Sequence, residues 1–282
     1  MPHLVACIDG SIYSHSVADH AAWAASRLAA SVELLQVLGR RDVSNTDLSG
    51  SLPADARVHV LEELAELDAQ RARLLLQKAR IVMDEARARV KDAGVAEVEV
   101  TLRHGDLLDE VAAREAGADM IVVGKRGEAA DFARMHLGSN LERLIRAAHK
   151  PVLVASRGFR PIGRVLVAFD GGTSALKAVD YVSRSPLFAG VTVHLVTVGA
   201  EQAEPRRLLE AAAAQIAAGG IAVETHLEPG APDKVIASVV ERLGIDLLVM
   251  GAYGHTRFRN LFIGSTTAEM MRSNLVPVLL FR

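Results

Sequence analysis

Two kinds of run alternate along the chain. Short, nearly unbroken apolar runs appear as LVACI from Leu4, VELLQVL from Val32, EVEVTL from Glu97, MIVVG from Met120 and VLVA from Val152. Between them, apolar residues recur at helical spacing: Val17, Ala21, Ala24 and Leu28, then a helix over 107–115 and another over 141–148. The runs read as continuously apolar strands, the pattern of a parallel sheet covered on both faces. Strand–helix alternation of this kind predicts a doubly wound α/β sheet of five strands.

The pattern then repeats. LVACIDGS (Leu4 to Ser11) returns as VLVAFDGG (Val165 to Gly172), and ADMIVVGKRG (from Ala118) as IDLLVMGAYG (from Ile245). GSN at Gly138 returns as GST at Gly264, and KPVLVASR (from Lys150) as VPVLLFR (from Val276). A period of this length marks a tandem array of one unit. The reading is a first domain over 1–157, a linker over 158–163 holding Pro161, and a second domain over 164–282. The first copy carries roughly 35 extra residues in an enlarged crossover over 39–94. That crossover opens with polar loop chemistry from Asp42 to Pro53 and continues as an amphipathic run with Leu75, Ala79, Val82, Ala86 and Val90 on one face. It reads as a lengthened helix capping the sheet, with a partner-docking surface as the alternative.

Composition narrows the function classes. With 50% hydrophobic residues in a chain of 282, two ordinary cores are affordable and disorder is excluded. A net charge of -2 and a pI near 6.6 leave no basic footprint for nucleic acid and no polybasic block for a membrane surface. Cys7 is the single cysteine, so no intramolecular disulfide forms, and its apolar run predicts a buried, inert thiol. No basic segment or cleavage site precedes the first apolar run, and the longest apolar stretch, Leu187 to Ala200, is far short of the roughly 20 residues a bilayer requires. A cytoplasmic protein is expected.

Chemistry concentrates in glycines at predicted strand ends. Gly251 and Gly254 close one strand, nine residues follow, and Gly264-Ser265-Thr266 opens a helix. Glycine permits close backbone approach, and a helix start of this type offers unpaired N–H groups, hydroxyls and a favourable dipole to an anion. Arg257 and Arg259 lie in the loop between. The pattern reads as a phosphate cradle.

GxxG-x9-G-[ST] resembles the ATP-binding signature of the universal stress protein family. The resemblance extends over the whole chain, twice: Asp-Gly after each first strand, HGD (His104 to Asp106) and PGAP (Pro229 to Pro232) after each third, and a final Pro-Val-Leu strand. It implies an adenine nucleotide alpha hydrolase-like fold, ATP with or without Mg as ligand, and copies packed as an intramolecular pseudo-dimer through their last strands. By the resemblance, Asp170 and Val198 would meet the adenosine end, while Gly251, Gly254, Gly264, Ser265 and Thr266 would wrap the phosphates. The matching positions in the first copy are Asp9, Val37, Gly124, Gly127, Gly138 and Ser139. There the pattern departs: ten residues separate Gly127 from Gly138, Asn140 follows the serine, and Glu128 and Asp131 bring negative charge into the loop.

Other signatures are missing from the sequence. It contains no GxxxxGK[ST] and no GxGxxG after either first strand. Its ten histidines form no HxxxH or HExxH, so no metal ligand set is expected. Hydrolysis needs a base or positioned water near the γ-phosphate, and by the resemblance Asp9 and Asp170 would fall at the opposite, adenosine end. The expected function is therefore an ATP-binding stress-response or signalling protein, not an enzyme, with nucleotide bound mainly in its second domain and with an unknown protein partner. A structural interaction module of the same fold and a very slow ATPase are the alternatives, and a homodimer is an alternative assembly.

Overall fold

The computed structural model describes residues 1–39, 54–125, 139–200, 202–252, 264–273 and 275–282. The first copy runs β1 (His3–Cys7), α1 (Ser14–Leu28), β2 (Ser31–Leu38), α2 (Ala54–Asp92), β3 (Val98–His104), α3 (Leu107–Glu115), β4 (Met120–Gly124), α4 (Ser139–Ala147) and β5 (Val152–Ala155). The second runs β6 (Arg164–Ala168), α5 (Thr173–Arg184), a 3-10 turn (Pro186–Phe188), β7 (Thr192–Val198), α6 (Ala203–Ala218), β8 (Ala222–Glu228), α7 (Pro232–Leu243), β9 (Leu247–Gly251), α8 (Ser265–Ser273) and β10 (Val278–Phe281). Among the described residues no helix is long and apolar enough to cross a membrane.

The strands form one ten-stranded sheet in the order β3-β2-β1-β4-β5-β10-β9-β6-β7-β8. Each half follows the same doubly wound order, and all pairs within a half are parallel. The halves meet where β5 and β10 pair antiparallel, with Val154 opposite Val278, Leu153 opposite Leu279 and Val152 opposite Leu280. The pseudo-dimer is thus a continuation of the sheet.

Alternation along each strand builds a core on each face. Leu4, Ala6 and Ile8 join α1, the end of α2 and α5 on one side. Val5 and Cys7 join α4, α7 and α8 on the other. Burial on both faces explains why the central strands are apolar without a break. The outermost strands differ from that expectation. β3 exposes Glu99 and Arg103, and β8 exposes Glu224, because an edge strand has only one neighbour and charged side chains keep it from pairing with other molecules.

Among its described residues the crossover of the first copy holds one long helix, α2, and only part of it caps the sheet. Ala79, Met83, Ala86 and Val90 are buried at helical spacing and Val82 is half-buried, whereas Leu75 is exposed. Leu61, Leu64, Leu67 and Leu74 are exposed with it. The core-facing stripe therefore begins one turn later than the periodicity predicts, since the sheet ends before the helix does. The polar segment from Asp42 to Pro53 lies outside the described residues.

Candidate functional site

In each half the strand order reverses between the first and fourth strands, which opens a crevice beyond their carboxyl ends. In the second half β6 delivers Phe169 and Asp170 to that crevice. Gly171 follows with φ +73, a left-handed turn that lets the chain double back into α5. The N–H of Gly172 donates to Asp170 Oδ1 at 2.8 Å, which fixes the carboxylate at the strand tip. The first copy repeats the device: Gly10 has φ +78, and Asp9 Oδ1 accepts from the N–H of Ser11 at 3.0 Å and the hydroxyl of Ser14 at 3.4 Å.

Gly251 ends β9 and faces the start of α5. A Cβ there would stand 2.9 Å from Ser174 Cβ and 3.2 Å from the Ala175 nitrogen. Glycine at this position is required by helix packing. The Thr267 hydroxyl donates to the Gly251 carbonyl at 3.1 Å, tying α8 to the strand end. Gly264 begins that helix: its carbonyl accepts the Ala268 N–H at 2.9 Å, so the N–H groups of Ser265, Thr266 and Thr267 precede any intrahelical acceptor.

These elements enclose a cavity of about 260 Å³. Asp170, Val198, Gly251, Gly264, Ser265 and Thr266, all anticipated from sequence, line it together. Ala168, Phe169, Val196, Pro232, Ile236, Met250 and Thr267 complete the wall and were not anticipated. Two signals pointed to them: Phe169 and Thr267 adjoin predicted residues, and Val196 shares a strand face with Val198. Pro232 belongs to the PGAP motif, where it occupies the first turn of α7, a position that needs no N–H. Gly254, Arg257 and Arg259 lie outside the described residues.

The first copy is built differently at the same place. Asp9, Val37 and Gly124 stand at the corresponding strand ends, while Gly127 and Gly138 lie outside the described residues, as does the side chain of Ser139. An open cleft of about 450 Å³ is lined by Val37, Gly105, Asp106, Asn140 and Arg143, but not by Asp9 or Gly124. Asp106 caps α3, accepting the Leu108 N–H at 2.8 Å. That bond, helped by Arg143, holds its carboxyl below the usual range. Lys125, buried, follows Gly124 where the second copy has Ala252. Lys78 of α2 lies over Gly10, where Leu208 lies over Gly171. Cys7, the counterpart of Ala168, has its thiol pushed up to about 12 by burial and by the Asp9 and Glu33 charges, which keeps it protonated and unreactive.

A larger cleft of about 640 Å³ lies at the opposite, amino ends of β1, β2 and β3, beside His3, Arg87, Lys91 and Glu99. Among the described residues no strand-end glycine or helix N-terminus converges there, whereas both do at the smaller cavity of the switch point.

Comparison with known proteins gives a consistent picture. The model of the universal stress protein family matches residues 1–156 and again 161–282. The universal stress protein Slr1230 of Synechocystis sp. is 37% identical over the full length of both chains. The crystal structure of a universal stress protein from Archaeoglobus fulgidus superposes with a TM-score of 0.73 at 24% identity, covering 99% of this chain and 98% of that one. A functionally unknown protein from Pseudomonas aeruginosa superposes with a TM-score of 0.64 at 18% identity, covering 100% and 92%.

Proposed function

Because the chain belongs to the universal stress protein family in both of its halves, we propose that it is a nucleotide-binding stress-response or signalling protein that holds ATP mainly in its second half. The observation that carries this reading is the cavity at the β6–β9 switch point. One end is apolar, with Phe169, Val196, Ile236 and Met250 suited to a flat base. The other is the start of α8, where backbone N–H groups and the Ser265 and Thr266 hydroxyls suit phosphate. At about 260 Å³ the cavity falls just below the about 300–1,000 Å³ of drug-sized ligands, room for a nucleoside with its phosphates running out along the helix start.

The residues fit binding better than hydrolysis. Among the described residues of the cavity wall, Asp170 carries the sole carboxylate, and the Gly172 N–H already holds it at the strand tip. Any Mg would accompany the phosphates. Bound nucleotide would then act by biasing conformation or partner choice, which requires different affinity for two states.

Thermal melting tests the reading. Nucleotide-free protein given ATP at 100 times its dissociation constant gains roughly 2.7 kcal/mol, a shift of a few degrees. Gly264→Val puts a branched side chain at the helix start and should abolish the shift, while Gly138→Val should leave most of it. No shift with millimolar ATP would favour a module that keeps the fold without binding nucleotide. Loss through Gly138→Val alone would move the site to the first half.

A further inference from the structure

The sheet edge of the second half carries a cluster that the nucleotide reading does not use. His194 on β7 stands in register with Glu224 on β8, and His226 stands in register with Val196. All three side chains project from one sheet face, since 194 and 196 on one strand match 224 and 226 on the other. His194 Nδ1 lies 3.2 Å from His226 Nε2 and 3.4 Å from Glu224 Oε2. One ligand atom from each residue lies within 4.8 Å of the other two.

We propose that His194, Glu224 and His226 form a binding site for a divalent transition ion of the zinc class. Zinc holds nitrogen and oxygen ligands at about 2.0–2.1 Å, which sets tetrahedral ligand atoms about 3.3 Å apart. The two separations at His194 Nδ1 match that spacing, so small rotations of Glu224 and His226 bring all three onto one ion. Two imidazoles with one carboxylate suit zinc, copper or nickel, whereas magnesium and calcium call for oxygen alone. The cluster is anchored at one end and open at the other: His194 is 8% exposed, while the Glu224 side chain is 64% exposed. Solvent can therefore supply the fourth ligand and the entry path.

His194 Nδ1 faces His226 Nε2, and Glu224 reaches His194 from solvent. With an ion, the edge strand β8 is fastened to β7. The fastening lies about 7 Å along β7 from Val196, which lines the cavity on the same face.

The test uses the full chain, without a histidine tag, stripped by chelator. Titration with zinc chloride should show one equivalent bound, unaffected by excess magnesium. His226→Ala and Glu224→Gln alter partly or largely exposed side chains, so both variants should keep the melting temperature of the metal-free protein. Each should weaken zinc at least about tenfold, and both should lose the visible ligand-field bands that cobalt gives in the same site. The buried His194→Ala serves as a third variant, interpreted against its own unfolding curve. Absence of stoichiometric zinc binding, or equal binding in His226→Ala and Glu224→Gln, overturns the proposal. ATP binding in the same samples is read separately and bears only on the nucleotide site.

Discussion

His20 on α1 illustrates how one buried side chain couples folding to pH. Its Nδ1–H donates to the Ser16 carbonyl at 2.6 Å, and its ring meets Phe159 edge-on at 5.1 Å. The other nitrogen, Nε2, is buried with no hydrogen-bond partner among the described residues. Burial pushes the ring pKa below 6.5, outweighing the Ser16 bond and the Asp19 charge, which raise it. Between the folded value and 6.5 the unfolded chain binds more protons, so stability rises with pH there. The contribution is whole above about 6.5 and is lost as pH falls through the folded value. His20→Leu should remove that share of the acid slope when melting is followed from pH 8 to pH 5. At pH 8 it should be neutral or stabilising by on the order of 1 kcal/mol, since it removes an unsatisfied nitrogen and the Ser16 carbonyl keeps its helical partner. An unchanged slope would show that His20 is not the sensor. Neither His20 nor the His194 cluster was legible from linear spacing. The residues that complete them come from the linker and from a neighbouring strand, and only register brings those together. Asp170 and Gly264 were legible because their chemistry is local, a turn and a helix start, whereas Gly251 packs against the distant α5 and was legible only through the spacing of its glycine motif.

Among the elements, α2 separates what periodicity can tell from what it cannot. An apolar stripe fixes which face turns inward, and Ala79, Ala86 and Val90 do so. It does not say where the sheet beneath the helix ends, and there Leu75 turns out exposed. The edge strands β3 and β8 carry the same lesson, since their position in the sheet order, not their own sequence, decides how many faces are covered. The contrast along α2 is measurable. Met83 is 2% exposed against the core, so Met83→Ala should cost about 2–5 kcal/mol in denaturant unfolding. Leu74 is 65% exposed, and Leu74→Ala should stay within about 0.5 kcal/mol. Equal costs would mean that the amino half of α2 is covered in solution.

For the molecule as a whole, the repeat predicted two copies, but the continuity between them is a property of the pair. Both cores cross the junction. Leu153, Ala155, Leu279 and Phe281 belong to one face, and Val152, Val154, Val278 and Leu280 to the other. Arg27 of α1 reinforces the contact, donating to the Leu187 and Ala189 carbonyls at 3.3 and 2.7 Å. Cutting the chain after residue 157 would expose β5, whose four residues are fully buried in the intact protein. A bare apolar edge strand recruits another strand, and the one at hand is β5 of a second fragment. Its antiparallel pairing would reproduce the β5–β10 geometry, because tandem copies stand in the relation of a symmetric dimer. Residues 1–157 alone should therefore sediment as a dimer or accumulate as insoluble material. Adding separately made 158–282 should compete for the same edge and convert the dimer into a one-to-one complex. Replacing Leu153 with lysine in the fragment should abolish both assemblies, since the charge would be buried unpaired against its partner strand. A fragment that sediments as a monomer and melts cooperatively would show that β5 is not the surface that joins the halves.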